Sequence, residues 1–196
     1  MDSSEFYIPL NLPEIKDELP GDLTDRLASF RVQNNTNGFI DFCNYQFPTA
    51  ITDTFSKIGL TPSYRMTEFF YQTKLEKHSI HLDGDPNTPE FFRAIAINWV
   101  WGGKTVMEWY SHNPHVLPKR NETVPGHFYL ELNPANCALA HSAVLTGANL
   151  VNITKFHSVR NASIDSNRYC LSVCPEEAVT WEEMSDLCRK HGLVRE

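Results

Sequence analysis

The sequence predicts a mainly β protein in which a helical segment at each end of the chain covers a β core. Between residues 64 and 175, about eight short segments are rich in β-branched and aromatic residues, and clusters of Gly, Pro and Asn separate them. About eight strands in about 110 residues are typical of a two-sheet jelly roll or a barrel. Helical patterns occur only before and after this region, so we expect the helices to flank the core.

The length and composition indicate one globular domain. A chain of 196 residues is long enough to bury a core without disulfides, and 41% hydrophobic with 21% charged residues is ordinary for a folded domain. We divide the domain 1–196 into an N-terminal irregular segment plus helix (1–63), the β core (64–175) and a C-terminal helix (176–196). The net charge of −7 argues against a large phosphate-binding face, and so against duplex nucleic acid as a partner.

The N-terminus and the cysteines favour a cytoplasmic location. The first residues have neither a basic start nor an apolar run, so we expect no signal peptide. No apolar stretch reaches the roughly 18 residues that a membrane span needs. The five cysteines are scattered and odd in number, which favours free thiols in a reducing compartment. The oligomeric state stays open.

The N-terminal part divides into an irregular segment and a helix. Residues 1–45 are polar and contain three prolines, and we expect them to drape over the rest of the fold. The segment 48–62 predicts one helix because Ile51, Phe55 and Ile58 share a face, and a glycine and a proline follow.

Eight strands are predicted in the core, and a helix follows them. The strand segments are 64–73, 78–83, 93–103, 105–111, 127–132, 138–145, 150–159 and 168–174. The polar stretch 111–126 is predicted to be a long loop. After the strands, Thr180 and Glu183 form a capping box, and Gly192 marks the end of the last helix.

One short motif, SIHLDGD at residues 79–85, offers two metal ligands. On a strand, side chains two residues apart point to the same face, so His81 and Asp83 would project together into the β core. Eight histidines and 24 acidic residues produce about one H-x-[DE] match by chance, so the motif needs support elsewhere. His157, on the second-to-last predicted strand, provides it. Two histidines and one carboxylate that leave three positions open are the arrangement of non-haem Fe(II) oxygenases.

The sequence offers a second candidate for the third metal ligand, and the position of a basic residue distinguishes the two candidates. His141 is a second candidate, and a zinc hydrolase would favour a third nitrogen ligand. No basic residue follows His141 at a fitting distance, whereas Arg168 opens the last strand eleven residues after His157. A guanidinium there offers a planar fork to a carboxylate that enters the core. An ion pair of Arg168 with Asp165 or Glu176 is the alternative interpretation.

In the order and spacing of these residues, the chain resembles the Fe(II)/2-oxoglutarate-dependent dioxygenase superfamily over residues 64–175. Its members carry H-x-D on the second core strand of a double-stranded β-helix, a cupin-like jelly roll, with the distal histidine on the seventh strand and the basic residue on the eighth. Tyr71, ten residues before His81, resembles a tyrosine of the prolyl-hydroxylase-like branch that contacts 2-oxoglutarate. The resemblance implies a double-stranded β-helix core.

The resemblance also implies a role for each residue. His81, Asp83 and His157 would hold Fe(II), and 2-oxoglutarate would chelate the iron while its 5-carboxylate pairs with Arg168. O2 would take the remaining position, and succinate and CO2 would be the co-products. The carboxylate ligand favours hydroxylation or desaturation, because halogenases of the superfamily lack it. The expected substrate is an amino-acid-type molecule, free or peptidyl.

The second contact to the 5-carboxylate has several candidates. Some members of the superfamily have a serine two residues after the arginine, where this chain has Cys170. Asn98 or Tyr71 is the expected substitute. Alternation puts Asn98 on one face of its strand and Trp99 and Trp101 on the other. His78 is expected to point away from His81.

Three other functions fit the same residues. A cupin-like metal-dependent isomerase or lyase would bind metal, ignore 2-oxoglutarate and have no need of Arg168. A zinc hydrolase would act without O2. A non-catalytic small-molecule-binding module would keep the β core and bind no iron.

Overall fold

The computed structural model describes residues 3–23, 25–26, 38–41, 45–84, 94–124 and 127–196. Within these residues lie ten β-strands and two α-helices. The strands are β1 Tyr7–Pro9, β2 Gly38–Asp41, β3 Glu68–Gln72, β4 Ile80–Asp83, β5 Ile95–His112, β6 Lys119–Val124, β7 His127–Leu132, β8 Cys137–Asn152, β9 His157–Asn161 and β10 Arg168–Val173. The helices are α1 Thr49–Lys57 and α2 Trp181–Lys190, and 3-10 turns occur at Ser3–Glu5, Lys16–Glu18 and Pro134–Asn136.

The described strands form one antiparallel sheet. Its order is β2-β3-β10-β5-β9-β4-β7-β6, while β8 pairs with the other side of β5 and β1 pairs with β8. The prediction of a mainly β protein with flanking helices is therefore confirmed.

β5 is continuous where the sequence predicted two strands, and β8 joins the predicted strand 138–145 to the first part of the predicted strand 150–159, whose last residues belong to β9. Residues 97–102 of β5 pair with β10, whereas residues 105–109 pair with β9. The partner changes at Gly102 and Gly103, whose φ angles of +64° and +41° favour glycine. A Cβ at Gly102 would lie 2.5 Å from the carbonyl oxygen of Asn167. The glycine pair that suggested a turn therefore bends one strand and gives it two sets of neighbours.

The two faces of the sheet carry separate apolar clusters. The outer cluster joins β3, β5 and β10 to the helices, and its members include Phe55, Phe69, Trp99, Leu171 and Met184. The inner cluster is built from alternate residues of the same strands and from β8, and its members include Val100, Met107, Trp109, Leu145 and Cys170. Because strand side chains alternate, each residue of β3, β5 and β10 is committed to the helix-covered face or to the inner face.

The helices begin and end close to their predicted limits. In α1, Ile51 and Phe55 are fully buried, as the shared face predicts. In α2 the capping box is confirmed: the Glu183 amide donates to Thr180 Oγ1 at 3.2 Å, and the Thr180 amide donates to Glu183 Oε2 at 2.8 Å. Gly192, at φ +64°, follows the helix. Neither of these two helices combines the length and apolar character needed to cross a membrane.

Shortening Ile51 to valine should lower the free energy of unfolding by about 0.5–1.5 kcal/mol, because the lost methylene was packed in the outer cluster. Urea denaturation followed by circular dichroism measures the change. Ser56→Ala, on the exposed side of the same helix, is the control and should change the free energy by less than about 0.5 kcal/mol. Equal effects at the two positions would contradict the packing of α1 on the sheet.

Two regions that were predicted to be irregular contain strands. β1 and β2 lie in the segment 1–45, and the predicted loop 111–126 contains the end of β5 and all of β6. β1, β2 and β6 each pair with a single neighbour among the described strands. The sequence of β6, KRNETV, lacks apolar alternation because an edge strand need not bury a face. β1 includes Pro9, which a strand tolerates at an edge.

The cysteines of the described residues carry free thiols, as the sequence predicts. Cys137 is partly exposed, and Cys170, Cys174 and Cys188 are buried. Cys43 lies outside the described residues.

Candidate metal centre

Three side chains from two neighbouring strands meet at the inner face of the sheet. His81 and Asp83 are two residues apart on β4, so they share a face. His157 opens β9 and lies directly opposite His81 in the antiparallel pair. One potential ligand atom from each of the three residues lies within 4.8 Å of the others. The predicted grouping is therefore present, and it could hold a metal ion.

Asp83 lies between the two imidazoles. Its Oδ1 is 3.4 Å from Nε2 of His81, and its Oδ2 is 3.8 Å from Nε2 of His157. Each ring is fixed from behind, because Nδ1 of His81 faces the Ser79 carbonyl and Nδ1 of His157 faces the Lys155 carbonyl, both at 2.9 Å. A carbonyl at Nδ1 places the proton there and leaves the Nε2 lone pair for a metal.

The centre is closed on one side and open on the other. The side chain of His157 is 4% exposed, whereas those of His81 and Asp83 are 17% and 22% exposed. Three donors on one side leave the opposite coordination positions to other ligands. His141 does not join them, because its ring stacks on Phe6 at 4.8 Å within a cluster that includes Trp109.

Asp83 also sets the protonation of His81. Burial lowers the pKa of His81, but the hydrogen bond and the negative charge of Asp83, together with the Ser79 carbonyl and the charge of Glu68, raise it by more, so the pKa lies above its ordinary value of 6.5. Without metal, the two side chains therefore share a proton that a metal ion must displace.

Metal affinity should rise with pH until His81 is deprotonated. At pH values below the His81 pKa, each increase of one pH unit should raise the association constant for Fe(II) about tenfold, because one proton leaves as the metal binds. Because that pKa is raised, the increase should continue above pH 6.5 before it levels off. Anaerobic Fe(II) titrations at several pH values measure the slope. Constant affinity across pH 6 to 8 would contradict competition between metal and proton at His81.

Arg168 lies on the inner face of β10 and is buried. Its Nε donates to Thr105 Oγ1 at 3.0 Å, and its Nη1 donates to Gln72 Oε1 at 3.1 Å. Burial lowers the pKa of Arg168 from its ordinary value, and Cys170 offsets only part of the change. A buried cation with neutral partners is costly unless an anion joins it.

The alternative ion pairs of Arg168 are not formed. Asp165 and Glu176 both belong to the described residues, and no carboxylate of that part of the chain lies within 4.0 Å of the guanidinium. The positive charge therefore remains available to an anionic ligand.

The structure does not bring Tyr71 to this site, which corrects the expectation for that residue. Tyr71 belongs to the outer cluster and contacts Tyr169, with ring centroids 5.4 Å apart. Its neighbour Gln72 is the residue of β3 that faces inward and binds Arg168. A displacement of one residue along a strand exchanges the two faces, so spacing alone selected the wrong member of this pair.

Asn98 lies on the inner face, opposite to the tryptophans, as alternation predicts. It is buried, and its Oδ1 has no hydrogen-bond partner among the described residues. It lies opposite Ser172, which is four residues from Arg168 along β10, or about 13 Å. The structure thus places Asn98 in the interior but not beside Arg168.

His78 lies near His81, whereas the sequence predicted that it would point away from that residue. Its ring centroid lies 6.4 Å from that of His81, and its Nε2 is buried. The prediction that it points away assumed strand alternation, but β4 begins only at Ile80. The rule therefore did not apply to this residue.

β7 adds polar side chains beside the centre. Tyr129 lies opposite Asp83, and Glu131 lies opposite His81. The Tyr129 ring is edge-on to His81 at 6.1 Å, and Glu131 Oε2 accepts a hydrogen bond from Asn121 Nδ2 at 2.6 Å. Burial raises the pKa of the Tyr129 hydroxyl, and the charge of Glu131 adds to the effect. The β6–β7 hairpin thus extends the face that carries the metal ligands.

Comparison with known proteins gives no assignment. No protein-family profile matches the chain, and no curated protein matches its sequence. The geometry of the site is therefore the basis for a functional proposal.

Proposed function

We propose that this protein is a non-haem Fe(II)- and 2-oxoglutarate-dependent dioxygenase that hydroxylates a C–H bond of an amino-acid-type substrate, free or peptidyl. The observation that carries the proposal is the pairing of two features on one inner face. These are the group of His81, Asp83 and His157, and the buried guanidinium of Arg168 without an acidic partner among the described residues.

The donor set favours iron over zinc. Two imidazoles and one carboxylate on one side are the ligands of non-haem Fe(II) oxygenases, whereas catalytic zinc more often keeps a tetrahedral site with one water. His141, the candidate for a third nitrogen ligand, is held in an aromatic cluster. When bound, Fe(II) would supply the activation of O2 that drives decarboxylation of 2-oxoglutarate and oxidation of the substrate.

The spacing of the two features suits a short dicarboxylate. Gln72, which binds Arg168, also donates from Nε2 to the carbonyl of Val159 at 3.0 Å. Val159 is two residues from His157 on β9, or about 7 Å. Hydrogen bonds through Gln72 thus tie Arg168 to the strand that carries His157, and a five-carbon dicarboxylate that chelated a metal there would direct its other carboxylate toward Arg168.

The strand pairing supports a double-stranded β-helix. β5 and β8 each contribute one half to β3-β10-β5-β8 and the other half to β4-β9-β5-β8. The inner cluster contains residues from both halves of β5, Val100 from one and Met107 and Trp109 from the other. Four strands on each side of a shared core are what a jelly roll requires.

The protein's own groups would orient the reactants. Arg168 would fix one end of the cosubstrate, and the carbonyl contacts behind His81 and His157 would hold the imidazoles in place. The substrate is expected on the open side, against Tyr129 and Glu131, where hydroxyl and carboxylate groups can bind the amine or amide of an amino-acid unit.

Anaerobic titration tests the proposal. Fe(II) should bind to the apoprotein with a stoichiometry of about one, and 2-oxoglutarate should then produce the weak visible charge-transfer band of its iron chelate. Exposure to O2 should yield succinate and CO2. Iron binding without the band would favour a cupin-like isomerase or lyase, zinc-dependent turnover without O2 would favour a hydrolase, and no metal binding would favour a non-catalytic binding module.

A further inference from the structure

Hydrogen bonds connect the backbone of His78 to Arg168 through the Val159 carbonyl and the Gln72 side chain. The His78 amide donates to the Val159 carbonyl at 2.8 Å, and Gln72 Nε2 donates to the same oxygen at 3.0 Å. The other end of the Gln72 amide accepts from Arg168 Nη1 at 3.1 Å. This shared carbonyl fixes the backbone of His78 beside the arginine that would bind the cosubstrate.

The imidazole of His78 also lies close to the metal ligands. Its ring is 6.4 Å from that of His81, centroid to centroid. The charges of Arg168, Asp83 and His157 all reach it. His78 therefore lies near the candidate metal ligands and within reach of the charge of Arg168.

One ring nitrogen of His78 lacks a hydrogen-bond partner within the part of the chain that the structure describes. Nε2 of His78 is buried and has no partner among the described residues. Burial and the nearby charges of His81 and Arg168 hold the pKa of His78 well below its ordinary value, so the imidazole is neutral. A buried polar group that lacks a partner costs stability, and a ligand that supplied one would recover that cost.

Arg168 leaves room for a second donor. Its Nε and Nη1 are engaged by Thr105 and Gln72, so only part of the guanidinium fork faces a ligand. A carboxylate accepts several hydrogen bonds. A neutral imidazole can provide one of them without placing a second positive charge in the interior.

We propose that His78 Nε2 donates a hydrogen bond to the 5-carboxylate of 2-oxoglutarate and so provides the second contact beside Arg168. The inference rests on the proposed function. It replaces Tyr71, which faces the helices, and Asn98, which lies about 13 Å along the strands from Arg168.

The test compares two keto acids that differ at the proposed contact. 2-Oxoglutarate carries the distal carboxylate, and 2-oxobutanoate has the same chelating group without it. Dissociation constants are measured anaerobically from the charge-transfer band of the Fe(II) protein. His78→Ala should weaken 2-oxoglutarate binding about 10- to 100-fold, as expected for a hydrogen bond to a charged group. The same variant should bind 2-oxobutanoate and Fe(II) with dissociation constants within about twofold of the wild-type values.

Two further variants separate a ligand contact from a structural role. His78→Asn retains a side-chain donor and should recover part of the lost affinity for 2-oxoglutarate. His141→Ala removes another histidine whose buried Nε2 has no partner among the described residues, but which stacks on Phe6. It should leave the affinity for both keto acids unchanged.

Several results would overturn the inference. One such result is that His78→Ala binds 2-oxoglutarate with the same affinity as the wild type. Another is that the variant binds both keto acids more weakly by the same factor, which would place the contact of His78 at the chelating end of the ligand. An equal loss of 2-oxoglutarate affinity in His141→Ala would indicate that removing any buried histidine disturbs the core and weakens binding indirectly. If the wild-type iron protein forms no band with either keto acid, the proposed function itself fails, and the inference fails with it.

Discussion

Replacing Asp83 by alanine should abolish turnover and lower Fe(II) affinity by more than the roughly 10- to 100-fold that loss of an outer-shell group causes. Asp83 supplies the only carboxylate of the ligand group and lies within 4 Å of both imidazoles. Its removal leaves two neutral nitrogen donors, which hold a hard divalent cation poorly. Anaerobic titration measures the affinity, and 2-oxoglutarate consumption measures the turnover.

Glu131→Ala is the matched control for Asp83. Glu131 is the carboxylate directly opposite His81 on β7, but it is not one of the three grouped residues. Its removal takes a negative charge from the same face and should leave the Fe(II) affinity within about tenfold of the wild type. Equal losses in the two variants would mean that general negative potential attracts the metal. Full iron binding by Asp83→Ala would remove Asp83 from the ligand set.

The grouping of the three candidate metal ligands could be predicted because strand geometry is regular where they lie. His81 and Asp83 sit inside β4, where a spacing of two residues fixes a common face. His157 begins β9, and the pairing of β9 with β4 brings it opposite His81. The sequence indicated the residues and their strands, while the approach of the strands is a long-range contact that no local pattern encodes.

Tyr71 and His78 show where this reasoning failed. For Tyr71, the strand was right, but Gln72 is the residue that faces inward, and a shift of one position reverses every side chain. His78 lies in the segment before β4, where alternation does not hold. The partners of Arg168, Gln72 and Thr105, are ordinary polar residues that carry no sequence signal of their own.

The predicted strand boundaries were wrong for a related reason. The glycine pair at 102–103 resembles a turn, but in β5 it bends a strand that keeps β8 on one side and exchanges β10 for β9 on the other. β6 is polar because, among the described strands, it pairs with β7 alone. In both places the tertiary contacts, and not local propensity, decide the structure.

Replacing Arg168 by methionine should weaken 2-oxoglutarate binding about 30-fold or more, since loss of one partner of a buried charge pair costs roughly 2–5 kcal/mol. Fe(II) affinity should be unchanged, because Arg168 is not among the metal ligands. Arg160→Met is the control. Arg160 lies on β9, is 40% exposed and pairs with Glu108 at 3.5 Å, so its loss should not change the affinity for the cosubstrate.

The stability of the ligand-free Arg168→Met protein separates the two roles of this residue. Arg168 has only neutral hydrogen-bond partners within the described residues, so its buried charge is not compensated there. Removing such a charge should cost little stability, whereas removing one member of a structural ion pair costs about 3–5 kcal/mol. Adding 2-oxoglutarate to the Fe(II)-loaded protein should raise the melting temperature of the wild type more than that of the variant, because the variant binds 2-oxoglutarate more weakly. If the variant unfolds in the absence of ligand, the main role of Arg168 is to stabilise the fold.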